Sequence, residues 1–456
     1  MATSIEQDRS RAVRDHDELI PHARAVCGLI FGLPDARPFS ITYWNGEEEP
    51  ARGGDAPFAI RIRRPGALRR MLFPPNELTI IEAFLSGDIE VDGDLEAAMH
   101  LGDTINAHLR SPGTLLSLVS HLRALPREDP PADLVARRAK RSVEVAGEPH
   151  VPERDRAAIR YHYDVGNDFY RLWLDPRMVY SCAYFAQGTD PAAELESAQA
   201  AKLDLICRKL RLRPGDRLLD VGCGWGALIM HASRYYGATA LGITLSDAQA
   251  DLARARIAAD GLSDRCQVEI RDYRALEGRR FDKISSVGMV EHVGVENLPT
   301  YFGALYDALE PGGLLLNHGI VSVGDARAGS RWAWLERKLW KRDVFIDQYV
   351  FPDGRLGPFS AVIAGAERVG FETRDVESLR EHYTLTLRAW MAGLMSHRDE
   401  AIAASDERTF RIWRLYLAGS AFGFASGRLN IVQTLLSKSD SRGRSELPLR
   451  RNDLLL

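Results

Sequence analysis

The stretch Leu218-Leu-Asp-Val-Gly-Cys-Gly-Trp-Gly226 decides the fold. An apolar strand ends at Asp220 and Val221, three glycines follow at 222, 224 and 226, and a helix opens at about Ala227. Glycines permit tight turning and a close approach of backbone to a ligand. Outward from this turn, short apolar runs alternate with helix-length amphipathic segments. The runs Arg217–Val221, Thr239–Ile243, Cys266–Ile270, Ile284–Val287 and Leu314–Ile320 read as strands, with Ser246–Asp260 and Leu298–Leu309 as helices between them. That alternation predicts an α/β fold with a doubly wound, mostly parallel sheet.

Other parts of the chain are patterned differently. Up to about Leu125 the signals are those of a small α+β domain. Phe58-Ala-Ile-Arg-Ile-Arg alternates as a strand before Pro65-Gly66, and Gly87-Asp88 and Gly93-Asp94 punctuate later apolar runs. Residues 126–160 hold Pro126, Pro130, Pro131 and Pro152 and the basic run Arg137-Arg138-Ala-Lys140-Arg141, which reads as a linker. The basic run is either a solvated face or an attraction to anionic lipid headgroups. Residues 161–456 would form the main domain, with one long apolar tail helix from Leu415 to Leu436.

Bulk composition narrows the class. The 456 residues are 45% hydrophobic and 27% charged, enough for more than one core. A formal charge of −4 argues against a strongly basic nucleic-acid binder. The charged opening has no apolar leader and no run is long enough to span a bilayer, so we expect a cytoplasmic protein. Five scattered cysteines, with no CxxC pair, suggest neither a disulfide framework nor a metal site.

The turn's spacing is GxGxG, not the dinucleotide GxGxxG, and its acid, Asp220, precedes the glycines. This suits a ligand without pyrophosphate whose cationic amino-acid end needs a carboxylate; an NAD site is the alternative. After the second strand the polar candidates are Thr244, Ser246 and Gln249, although Ser246 also makes a good N-cap. After the third strand, Asp272 could accept from an exocyclic amine and Tyr273 could pack on a base, unless Asp272 only faces water.

Several further stretches, in order, resemble the cyclopropane fatty acid and mycolic acid cyclopropane synthase family. They are Tyr161-His-Tyr-Asp-Val-Gly-Asn-Asp-Phe169, Tyr180-Ser-Cys-Ala-Tyr184, the glycine turn, Gly242-Ile-Thr-Leu-Ser246, Glu291-His-Val-Gly294, His318-Gly-Ile320, Val350-Phe-Pro352 and His382-Tyr-Thr-Leu-Thr-Leu387. Trp413-Arg-Leu-Tyr416 through Gln433 extends the match, which covers about residues 160–438. The N-terminal section resembles, less specifically, the accessory domain of longer bacterial members.

The resemblance implies a Rossmann-like class I methyltransferase that uses S-adenosylmethionine. It would act on the cis double bond of a phospholipid acyl chain, at the inner face of the membrane. It implies Tyr180 and Ser181 at the cofactor beside Asp220, Gly222, Gly224, Gly226, Thr244, Gln249, Asp272 and Tyr273. It further implies bound bicarbonate as base, held by the side chains of Glu291, His318 and Tyr383 and mainly the backbone of Cys182 and Ile320. The longer members imply a homodimer. Additions from about Val321 onward would form the acyl tunnel.

The chemistry suits those residue types. Positioning a weakly nucleophilic alkene supplies roughly 7–11 kcal/mol of a barrier. Water must be kept from a carbocation. Aromatic faces stabilise a cation by about 0.5–2 kcal/mol each, with Tyr163, Phe169, Tyr184 and Tyr383 as candidates. No His or Lys motif stands out as a base. Glu291 accepts a bicarbonate O–H when ionised, while His318 and Tyr383 can donate. Each also has a plain structural role open to it: Glu291-His292 capping a loop, His318 in a core strand, Tyr383 in packing.

Two features depart from the family. Ser420 stands where the family carries a tail cysteine often named catalytic, so either no tail thiol is needed or this chain behaves differently. Arg331-Trp-Ala-Trp-Leu-Glu-Arg-Lys-Leu-Trp-Lys-Arg342 reads as an interfacial helix or as a lid. Three functions therefore stand against one another: lipid modification giving a ring or a methylene branch, small-molecule O- or N-methyl transfer, and non-enzymatic lipid carriage.

Overall fold

The computed structural model describes residues 16–73, 76–108, 111–145, 150–163, 165–276, 278–324, 345–445 and 447–451. The Trp-rich segment Arg331–Arg342 lies outside them. The chain forms two compact units. One comprises the described residues of 1–142, 329–348 and 411–422; the other those of 143–328, 349–410 and 423–456. Neither unit is continuous in sequence, unlike the expected division at 125 and 160.

The first unit is α+β. Its four strands, β1 (Ser40–Thr42), β2 (Glu48–Glu49), β3 (Phe58–Ile62) and β4 (Ile89–Gly93), lie in the order β2-β1-β3-β4, with only β1 and β3 parallel. β3 buries alternate side chains, as its sequence pattern requires. Phe39 stacks on Phe58 with ring centroids 4.8 Å apart. The Gly87 and Gly93 turn signals sit at φ 75° and 90°, Gly87 between the helix Glu77–Leu85 and β4 and Gly93 as the last residue of β4. Asn76 caps the helix Glu77–Leu85 by accepting from Thr79 N at 2.8 Å.

The expected linker is instead largely helical, over Ala132–Glu144 and Pro152–Tyr163. Pro131 immediately precedes the first of these helices and Pro152 opens the second. Pro152 occupies the first helical position, where the missing N–H costs nothing, and Glu153 and Asp155 favour the dipole of that first turn. Two members of the basic run are ion-paired, Arg138 with Glu82 and Arg141 with Asp347.

The second unit is built on β5 (Arg217–Val221), β6 (Thr239–Thr244), β7 (Cys266–Ile270), β8 (Phe281–Val287), β9 (Leu309–Ser322), β10 (Glu372–Ser378) and β11 (Leu429–Ser437). Their order is β10-β11-β9-β8-β5-β6-β7. β9, β8, β5, β6 and β7 are parallel, while β11 runs antiparallel to both of its neighbours. The five strands read from sequence are all present. Helices cover both faces. Leu218 points into one core with Leu203, Ile229 and Ala253; Leu219 and Val221 point into the other with Ile284, Tyr301 and Leu305. Strand alternation therefore puts Asp220 on the Leu218 face, under the helix Pro191–Lys209.

The expected tail helix is corrected. The helix Glu407–Ala425 ends near Gly427, at φ 71°, and residues 429–437 form β11, between β10 and β9 in the sheet. β11 is buried on both faces from Ile431 on, so its sequence shows no alternation. A continuous apolar run of that kind cannot be distinguished from a buried helix by periodicity. Among the described residues no helix is long and apolar enough to cross a membrane.

Close packing of β6 against the glycine turn is a strict requirement. A Cβ on Gly242 would lie 2.7 Å from Cβ and Sγ of Cys223. Gly242→Ala should therefore lower unfolding stability by about 1–3 kcal/mol in urea titrations, the range for overpacking a filled core. An unchanged midpoint would contradict this packing.

Candidate functional site

A cleft of about 150 Å³ lies beyond the carboxyl ends of β5, β6, β7 and β8, where an open parallel sheet divides its crossovers between two faces. The glycine turn forms its floor. Gly222 N and Cys223 N both donate to Ile243 O at 3.0 Å, which bends the chain sharply off β5. Gly222, Gly224 and Gly226 all have positive φ, at 80°, 52° and 84°. Gly222 and Gly224 line the cleft. Gly226 does not; a Cβ there would meet the Ala253 side chain at 3.3 Å, so this glycine serves helix packing.

The cleft brings together nine of the ten residues expected at the cofactor: Tyr180, Ser181, Asp220, Gly222, Gly224, Thr244, Gln249, Asp272 and Tyr273. Asp220 is buried and accepts from Ser285 Oγ at 2.7 Å. Burial pushes its carboxyl up to about 6, against the pull of Ser285 and Lys202. Lys202 is a charged lining residue that sequence reasoning missed. Its ammonium is buried, donates to Ser181 Oγ at 2.8 Å, and is pushed by burial down to about 8. One lysine on an amphipathic helix carries no signal of burial; only the packing of that helix on β5 reveals it.

Elsewhere in the cleft the polar residues are already organised. Thr244 Oγ1 donates to Gln249 Oε1 at 2.9 Å, and Ser246 caps the helix Asp247–Ala259 through Gln249 N. The structural role considered for Ser246 is thus the one observed. Asp272 is not simply solvated. Its carboxylate accepts from Arg274 Nε and Nη2, and Arg274 also reaches Asp155 at 2.7 Å. The Tyr273 ring packs edge-on against Tyr301 at 5.2 Å.

A second constellation is centred on β9. Glu291, on the short helix Val290–Val293, accepts from Ile320 N through Oε1 at 2.8 Å. Its other oxygen, Oε2, is buried without a hydrogen-bond partner. Burial pushes the carboxyl up to about 7, with the Ile320 bond opposing. His318 is 1% exposed, and its Nε2 is likewise buried and unpartnered. Burial holds its imidazole well below the usual histidine range, assisted by Lys202 and Lys209. Cys182 and Tyr383 converge on Leu379: Cys182 Sγ lies 3.8 Å from Leu379 O, and Tyr383 N donates to the same oxygen at 3.0 Å. Leu379 N in turn donates to Ile431 O, and Ile431 is paired with Ile320 across β11 and β9. All five residues therefore belong to one neighbourhood. The Ile320 N–H is already engaged by Glu291, which a sequence comparison does not disclose.

Of the four aromatic residues expected to face a cation, Tyr163 lines the cleft, edge-on to Trp225 at 5.9 Å. Phe169 is fully buried against Tyr170 and Trp173, Tyr184 stacks on His382, and Tyr383 packs on Phe424 at 4.7 Å. All five cysteines are buried and free. Burial raises every one of these thiols, so none is poised as a thiolate. Ser420 belongs to the first compact unit.

The family model described as mycolic acid cyclopropane synthetase matches residues 150–434, and a domain of unknown function matches residues 30–103. A probable fatty acid methyltransferase of Pseudomonas putida is 40% identical over 91% of this chain and 96% of its own. The cyclopropane-fatty-acyl-phospholipid synthase of Escherichia coli K12 is 33% identical over 86% and 91%. The crystal structure of mycolic acid cyclopropane synthase CmaA1 complexed with SAH and CTAB aligns with TM-score 0.56 and 34% identity. It covers 62% of this chain and 98% of that one.

The buried carboxyl of Glu291 has a pH signature. Its folded pKa, about 7, lies above the ordinary value of 4.5. Between those values the folded state keeps a proton that the unfolded state has lost. Stability therefore falls as pH rises through this window and is level above it. Glu291→Gln removes the loss. Urea midpoints of the variant should gain on those of the native chain between pH 4 and 8, by up to about 3 kcal/mol. A gap that does not change with pH would refute the buried carboxyl.

Proposed function

The chain belongs to the mycolic acid cyclopropane synthetase family, S-adenosylmethionine-dependent methyltransferases that modify lipids, and from that premise we propose that it is a cyclopropane-fatty-acyl-phospholipid synthase. When bound, S-adenosylmethionine supplies an electrophilic methyl and bicarbonate a proton acceptor. A cis alkene then gains one CH₂ as a ring, with S-adenosylhomocysteine and a proton as by-products. The observation that carries this reading is the pair of buried, unpartnered atoms Glu291 Oε2 and His318 Nε2. A transferase acting on oxygen or nitrogen does not need both members of that pair.

The cleft fits the cofactor. Asp220 offers a carboxylate to its ammonium and Lys202 an ammonium to its carboxylate, while Tyr180, Ser181, Thr244, Gln249, Asp272 and Tyr273 supply polar and aromatic surface. The bare backbone at Gly222 and Gly224 lets the ligand approach closely. Glu291 and His318 fit bicarbonate, one accepting its O–H and the other donating to an oxygen. Tyr383 and the backbone at Cys182 complete that site, while the Ile320 N–H holds Glu291 in place. Tyr163 presents an aromatic face toward positive charge in the cleft. With every thiol buried and neutral, the proton acceptor here is not a cysteine, in keeping with Ser420 in the tail. The acyl chain is taken up at the inner face of the membrane by the additions after Val321, and the protein is cytoplasmic and dimeric.

Two measurements test this reading. The protein is incubated with unsaturated phospholipid vesicles and methyl-labelled S-adenosylmethionine, and the lipids are analysed by mass spectrometry. A gain of one CH₂ that resists hydrogenation supports the ring. A gain that takes up hydrogen would replace it with a methylene branch, and no gain would end the phospholipid assignment. Binding of S-adenosylhomocysteine should follow a bell-shaped pH dependence. Asp220 must be ionised, so affinity falls about tenfold per unit below pH 6; Lys202 must be charged, so it falls again above pH 8. Calorimetry on Asp220→Asn should lose the acid limb, and on Lys202→Met the alkaline one.

A further inference from the structure

His318 does not stand alone in its strand. Register places Glu377 of β10 opposite Gln433 of β11, and Gln433 opposite His318 of β9. The three form one row across antiparallel strands. Lys209, at the end of the helix Pro191–Lys209, inserts into this row from above the sheet. Its ammonium pairs with Glu377 and donates to Gln433 Oε1 at 2.7 Å. Gln433 Nε2 lies 3.2 Å from His318 Nδ1. Lys209, Gln433 and His318 are each no more than 2% exposed.

These contacts fix the position of a proton. An ammonium has donors only, so it holds the Gln433 carbonyl toward itself and turns the amide N–H toward His318. The reversed amide would set two donors against each other beside Lys209. His318 Nδ1 must therefore accept. Since burial and two lysines keep the ring neutral, its proton resides on Nε2, the atom that is buried without a protein partner. A neutral imidazole with Nδ1 occupied can offer only a donor at Nε2.

We propose that Lys209 and Gln433 are positioning residues that lock His318 as the neutral Nε2–H tautomer, so that its open side binds a hydrogen-bond acceptor such as an oxyanion. The inference rests on the reading of His318 as part of the bicarbonate site. The logic is that of second-shell partners which set the tautomer of a functional histidine. The row has no signature along the sequence, because its members come from three strands and a helix that lie far apart in the chain.

The decisive variant is Gln433→Glu. A carboxylate can only accept, so it draws the proton to Nδ1 and leaves Nε2 without one. Full-length protein labelled with ¹⁵N-histidine is examined in bicarbonate-free buffer, with His318→Gln assigning the resonance. The native chain should show the Nε2–H correlation pattern, and Gln433→Glu should show the Nδ1–H pattern. The same variant should lose about 10²-fold or more in kcat on phospholipid vesicles while its affinity for S-adenosylhomocysteine changes less than about twofold. Lys209→Met should give mixed tautomers, and Lys209→Arg, which still donates to the Gln433 carbonyl, should restore the native pattern. Retention of the Nε2–H pattern in Gln433→Glu overturns the lock, and a changed pattern with unchanged kcat overturns its role. Native activity that is indifferent to bicarbonate would remove the anion reading alone, since the tautomer is observed without it.

Discussion

Much of the second unit follows from the parallel pairing of β5 with β8, in which Leu218–Val221 lie in register with Lys283–Ser286. β6 and β7 extend the sheet to one side of this pair, and β9, β11 and β10 to the other. Chain crossovers leave the two sides on opposite faces, so a crevice opens where the strand order reverses. The same pairing sets Ser285 beside Asp220 and gives the buried carboxylate its hydrogen bond. On the other side Asp220 neighbours Gly242, which has no side chain to intrude.

Around that crevice the protein buries polar groups that would be costly in an ordinary core. A buried donor or acceptor without a partner sacrifices about 1–3 kcal/mol. Asp220, Lys202, Glu291 and His318 are all held away from their ordinary titration ranges, each primarily by desolvation. The shifts differ in sense: the acids are raised and the bases lowered. At neutral pH this favours a site poised between charge states over a rigid ion-pair network. The cysteine thiols are raised as well, each chiefly by burial.

β11 links the two constellations. Inserted antiparallel between β9 and β10, it supplies Gln433 beside His318 and Ile431 beside Ile320. Its Ile431 carbonyl holds Leu379, and through it the start of the helix Arg380–Ser396 that carries Tyr383. The tail of the chain is thus part of the second unit, although residues 411–422 just before it belong to the first.

By itself the sequence determined the parallel sheet, the glycine turn and nine of the residues that line the cleft. Those features are local: strand alternation, turn chemistry at Gly222 and Gly224, and an acid next to the turn each act within a few residues. Tertiary structure alone decided the rest. It made a strand of residues 429–437, since a segment buried on both faces shows no period of its own. It made helices of much of the supposed linker, where prolines stand at helix starts. It reassigned Gly226 to packing, buried Lys202 beside Asp220, and aligned Glu377, Gln433 and His318 in one row. Cross-strand register and side-chain burial are set by which distant segments pair, and that choice is made by the whole core at once.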